Sequence, residues 1–128
     1  MLLQWLAALL GTVALTMSVS AYTNDCGSGQ GVTYSGTRTR PGVAACPDSL
    51  YLRTLYVPGT PERWYTCLDK GSAVTEGFMD LWVESEEDAL EWGRRDLWVL
   101  VLPIPAPGVM MVHPCQGAEC EAAERRLR

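Results

Sequence analysis

The stretch Cys67–Val83, "CLDKGSAVTEGFMDLWV", decides how this chain folds. Its start completes "WYTCLD" (64–69), an aromatic and β-branched run bounded by turn residues, which predicts a strand. Small residues with Gly71 and Gly77 then predict a loop. "FMDLWV" (78–83) alternates, placing Met79, Leu81 and Val83 on one face and Phe78, Asp80 and Trp82 on the other, as a half-buried strand does. Asp69 and Asp80 therefore stand on two strands joined by a glycine-containing loop. An aspartate inside a strand, where the backbone is already paired, calls for a reason other than chain reversal.

Outward from this stretch the pattern stays β-rich. "GVAACP" (42–47) and "LYLRTLYVPG" (50–59) carry Val, Leu, Tyr and Thr between turn residues and predict strands. "YTNDCGSGQGVTYSGTRTRPG" (22–42) is broken by glycines into turns and brief extended pieces. After Val83 the period changes. Ser85 is a predicted N-cap, Glu86, Glu87 and Asp88 load the first turn, and Gly93 closes a short helix with Ala89, Leu90 and Trp92 on a narrow apolar face. "LWVLVL" (97–102) is apolar throughout and predicts a strand buried in a sheet or barrel, ending at Pro103. Short strands, glycine-rich connections and one helix before the last strand predict a mainly β chain forming a small barrel.

The first 21 residues, "MLLQWLAALLGTVALTMSVSA", contain no charge and end in small residues. They read as an export signal cleaved before Tyr22, with an uncleaved membrane anchor as the alternative. The expected organisation is a signal at 1–21, one barrel domain at 22–102 and a Pro-rich, Cys-containing tail at 103–128. The formal net charge of −5 argues against nucleic acid as a partner, and contact with a membrane is expected only through an uncleaved signal. Five cysteines in an exported chain point to disulfides. Cys46–Cys67 is the preferred pair and Cys115–Cys120 the second, leaving Cys26 free; Cys26 with Cys46 or Cys67 is the alternative pairing. His113 is the lone histidine, set beside Pro114 in the tail, so no metal site is expected.

The segments "GVTYSG", "GVAACP", "DKGSAVTEGFMDLWV" and "EEDALEWGRR", in that order, resemble the bacterial 3D domain, a family named for three aspartates. The resemblance spans roughly Tyr22 to Leu102. It implies a six-stranded double-psi β-barrel similar to the catalytic barrel of membrane-bound lytic transglycosylase A and to rare lipoprotein A. Asp69 matches the aspartate that opens the family's D-x-G-x-A-I-x-G segment, and Asp80 the one in its I-D-L-aromatic strand. Lys70, Gly71, Ala73, Val74 and Gly77 fill the loop between them. At the third aspartate, in a segment like V-A-V-D-P, this chain has Cys46, and Arg53 replaces a usual glycine. A Cys46–Cys67 disulfide would put a covalent tether where the family has a polar one.

The resemblance implies an exported protein of the periplasm, cell envelope or outer membrane, or a secreted one, acting on peptidoglycan glycan strands. In lytic cleavage the sugar's own 6-hydroxyl attacks, so one carboxyl can serve as acid and then base. Asp80 is the expected acid/base and Asp69 its support; burial and a neighbouring carboxylate would raise the acid's pKa. Trp82 and Trp64 offer flat apolar surface to a sugar ring, and Thr33 and Ser35 offer hydroxyls. No metal or organic cofactor is implied. A non-catalytic barrel that binds peptidoglycan or a cell-envelope protein partner is the second expectation, with Asp69 and Asp80 fixing the crossing loop. An expansin-like loosening of polysaccharide contacts is the third.

Overall fold

The computed structural model describes residues 11–25 and 31–105. Six strands close into a barrel: β1 (Val13–Tyr22), β2 (Val43–Ala45), β3 (Arg53–Tyr56), β4 (Trp64–Asp69), β5 (Phe78–Trp82) and β6 (Arg95–Pro105). Among the described residues one α-helix, α1 (Glu86–Trp92), precedes the last strand. The order around the barrel is β1-β5-β2-β4-β3-β6, with β1–β5 and β2–β4 parallel and the other pairs antiparallel. The expected mainly β six-stranded barrel, with its helix ahead of the last strand, is therefore the observed fold.

Alternation builds the core. Met17 and Val19 from β1, Leu55 from β3, Tyr65 and Cys67 from β4, Met79 and Leu81 from β5, and Val99 and Val101 from β6 fill the interior. Each set is spaced by two, so polar and half-buried residues between them face outward. A closed barrel leaves no unpaired strand edge among the six. Ser85 caps α1 by accepting a hydrogen bond from the Asp88 amide at 3.1 Å, and Gly93, at φ 65°, ends it. Trp92 ties the helix to the barrel through Nε1 donating to the Val19 carbonyl at 3.0 Å.

Four details depart from expectation. The barrel begins at Val13, not Tyr22, because Leu15, Met17 and Val19 alternate with Thr16, Ser18 and Ser20 and so form a one-sided strand. That strand lies almost wholly within the segment assigned to an export signal. The last strand runs past Pro103 to Pro105, paired to Arg53. "LWVLVL" is buried on one face only: Val99 is fully enclosed while Trp98 is 64 % exposed. The helix packs through Trp92, and Leu90 points to solvent at 76 % exposure, since a seven-residue helix lying over a barrel has room for little more than one anchoring residue.

Candidate functional site

Strand register places the two aspartates. Asp80 in β5 pairs with Ala45 in β2 on one side and with Ser20 in β1 on the other. Ala45 pairs in turn with Asp69 at the end of β4. Ser20, Asp80 and Ala45 stand opposite one another, and the register shift between Ala44 and Ala45 brings Asp69, two residues after the core-facing Cys67, into the same row. Asp69 and Asp80 are two strand spacings apart in that row, about 10 Å between Cα atoms. The small Ala45 leaves the gap between their side chains open, and a cleft of about 530 Å3 lies over it.

The carboxylates have different surroundings. Asp69 accepts three hydrogen bonds: from the Tyr22 hydroxyl at 2.7 Å, the Tyr34 amide at 2.8 Å and the Lys70 amide at 2.9 Å. Those donors come from β1, from the segment after residue 30, and from the β4–β5 loop, so Asp69 ties three parts of the chain together. Asp80 accepts no hydrogen bond among the described residues. Burial raises its pKa above the usual aspartate value, and the Arg94 guanidinium opposes that rise. Arg94 is held nearby by Nε donating to Ser20 Oγ at 3.2 Å and by a position 5.6 Å from the centre of the Phe78 ring. Tyr22 has its phenol pKa pushed strongly upward, first by burial and then by its hydrogen bond to Asp69, so it stays a donor.

The two environments divide the chemistry. A carboxyl whose pKa is raised by burial gives up its proton less readily than an exposed one and can act in proton transfer, whereas Asp69 is fixed in place by its three donors.

The other expected residues separate. Thr33 is buried in the wall of the cleft and forms a hydroxyl cluster with Ser35 at 2.8 Å and Thr37 at 2.9 Å. Gly36, at φ 86°, closes the turn that brings those three hydroxyls together, with its amide donating to the Thr33 carbonyl. The Ser35 amide donates to the Leu68 carbonyl, next to Asp69. Trp82 reaches the cleft indirectly: its Nε1 donates to Asn24 Oδ1 at 2.9 Å, and Asn24 lines the wall. Trp64 does not line it, and instead lies 55 % exposed against Tyr56 with ring centres 4.9 Å apart. A larger hollow of about 660 Å3 holds Trp82, Trp92 and the acidic Glu84, Asp88 and Glu91, but neither Asp69 nor Asp80.

Cys46 and Cys67 form a disulfide with Cα atoms 5.5 Å apart, joining the residue that follows β2 to β4. Cys26, Cys115 and Cys120, and with them the expected tail disulfide, lie outside the described residues. Sequence reasoning missed Tyr22, Tyr34 and Arg94. Tyr22 directly follows the segment read as a signal, which hid its strand position. No family model matches the chain, and no curated protein matches it either.

Proposed function

We propose that this chain is an exported cell-wall protein of the 3D-domain type, whose cleft binds peptidoglycan glycan strands and cleaves them by lytic-transglycosylase-like chemistry. Asp80 is the acid/base. It protonates the leaving glycosidic oxygen, then takes the proton of the sugar's 6-hydroxyl as that oxygen attacks the anomeric carbon, giving a 1,6-anhydro end and a returned proton. Asp69, clamped by Tyr22, faces the oxocarbenium-like transition state from the far side of the cleft. The observation that carries this reading is a half-buried Asp80 that accepts no hydrogen bond among the described residues, set across Ala45 from an Asp69 that accepts three, in one open cleft.

A specific observation favours a second reading, a barrel that binds glycan or an envelope protein without cleaving it. The position matching the third family aspartate is Cys46, whose sulfur is committed to Cys67 in the core. Incubating the oxidised chain and its Asp80→Asn variant with peptidoglycan sacculi, followed by mass spectrometry of the soluble products, separates the two. Anhydro-muropeptides released by the wild type alone establish cleavage by Asp80. Sedimentation of both proteins with sacculi and no released product establishes the binding barrel.

A further inference from the structure

Lys70 is the only lysine in the chain, and the only cationic residue lining the Asp69–Asp80 cleft among the described residues. Its ammonium lies 4.8 Å from the centre of the Tyr34 ring and 4.4 Å from that of Tyr51. The two rings meet edge to face at 5.6 Å and form a corner around the charge. The position is fixed from the backbone as well, because the Lys70 amide donates to Asp69 Oδ1 at 2.9 Å. An aromatic corner holds a cation in place without neutralising it, so the charge remains available to an anion.

The present partner of that charge is Asp48, 2.9 Å from Nζ. The Asp48 side chain is 89 % exposed, whereas that of Lys70 is 27 % exposed. Exposed ion pairs of this kind add little to stability and exchange readily. An exposed carboxylate at that position can be exchanged for one on a ligand. Tyr34, 67 % exposed and itself lining the cleft, presents a free ring edge and face beside it, the surface on which a sugar ring packs.

We propose that Lys70, in the corner of Tyr34 and Tyr51, anchors a carboxylate on the bound glycan, so that the cleft selects an acidic sugar chain over a neutral one. This rests on the glycan reading of the cleft and deepens it. In a protein of net charge −5 whose cleft already holds two aspartates, an acidic ligand without such an anchor would be repelled. The carboxylate can belong to an ether substituent on the sugar or to an attached peptide, and Lys70 would engage either through the same charge-assisted hydrogen bonds.

The test measures affinity of the full chain for three oligosaccharides. These are a peptide-free N-acetylmuramyl glycan, the same glycan with its carboxyls reduced to alcohols, and the peptide-bearing form. The wild type is expected to prefer the peptide-free acid over the alcohol by about fivefold. Lys70→Met should abolish the preference, Lys70→Arg should keep most of it, and Asp48→Asn should enlarge it by removing the competitor. A preference confined to the peptide-bearing glycan, and still lost in Lys70→Met, supports the anchor and assigns the carboxylate to the peptide. Equal affinity for all three forms in the wild type, or a preference that survives Lys70→Met, overturns the anchor while leaving the glycan reading intact. Binding of none of the three overturns both.

Discussion

Breaking the Cys46–Cys67 disulfide tests how the site is held. The bond closes a loop with a sequence separation of 21, and both half-cystines are enclosed in the core at 1 % and 0 % exposure. A cross-link of that span removes enough freedom from the unfolded chain to contribute about 3 kcal/mol at 25 °C. Replacing both cysteines by alanine also deletes two buried sulfurs, adding up to ~1 kcal/mol for the space left behind. The expected loss is therefore about 3–4 kcal/mol, a large part of the ~5–15 kcal/mol that holds a typical domain together. In a barrel of this size it corresponds to a fall in Tm of roughly 12–32 °C. Urea unfolding of the oxidised wild type and of Cys46→Ala/Cys67→Ala, with peptide mapping of the oxidised chain, measures both the pairing and its worth. A stability difference under about 1 kcal/mol would refute the loop-entropy reasoning. A mapped peptide joining Cys46 to a cysteine other than Cys67 would refute the pairing.

Other perturbations reach the site directly. Because the folded-state pKa of Asp80 is raised, its contribution to stability is fully present below the usual aspartate pKa of 3.8 and is lost as pH rises through the folded value. Asp80→Asn should therefore be more stable than wild type at pH 7, the gap closing on acidification; thermal melts across pH 3–8 showing a constant gap would contradict this. Tyr22→Phe removes one of three donors to Asp69 and should cost about 1.5–3 kcal/mol, as loss of a hydrogen bond to a charged group does; an unchanged urea midpoint would show that this bond adds nothing. Ser85→Ala, which leaves the Asp88 amide uncapped, should cost about 1 kcal/mol without altering glycan binding, and a concurrent loss of binding would mean that α1 positions the cleft.

The strands that surround the aspartates were legible because their periodicity is local. "FMDLWV" alternates and its Met79 and Leu81 are inside, and the cap on Ser85 is written in four consecutive residues. The aspartates could be named from the sequence, but their different environments could not, since those arise from register: Asp69 meets Tyr22 across 47 residues and Asp80 meets Ala45 across a strand pair. The exposed Trp98 and Trp64 were illegible for a related reason. Hydrophobicity reports what a residue can bury, whereas the barrel's curvature decides which face finds a partner.

The first strand shows how two patterns can share one segment. Residues 13–21 are uncharged and end in small residues, which fits an export signal, yet Leu15, Met17 and Val19 recur at every second position with polar residues between them. A membrane-directed stretch gains nothing from that alternation, whereas a strand with one face in a core requires it. The barrel uses the strand on both edges, against β5 and β6, and the site uses its last residue, since the Tyr22 hydroxyl is a donor to Asp69. Cutting before Tyr22 would leave two neighbouring strands with open edges and a core without Met17 and Val19. A closed barrel of six strands therefore requires that this strand stay in the chain.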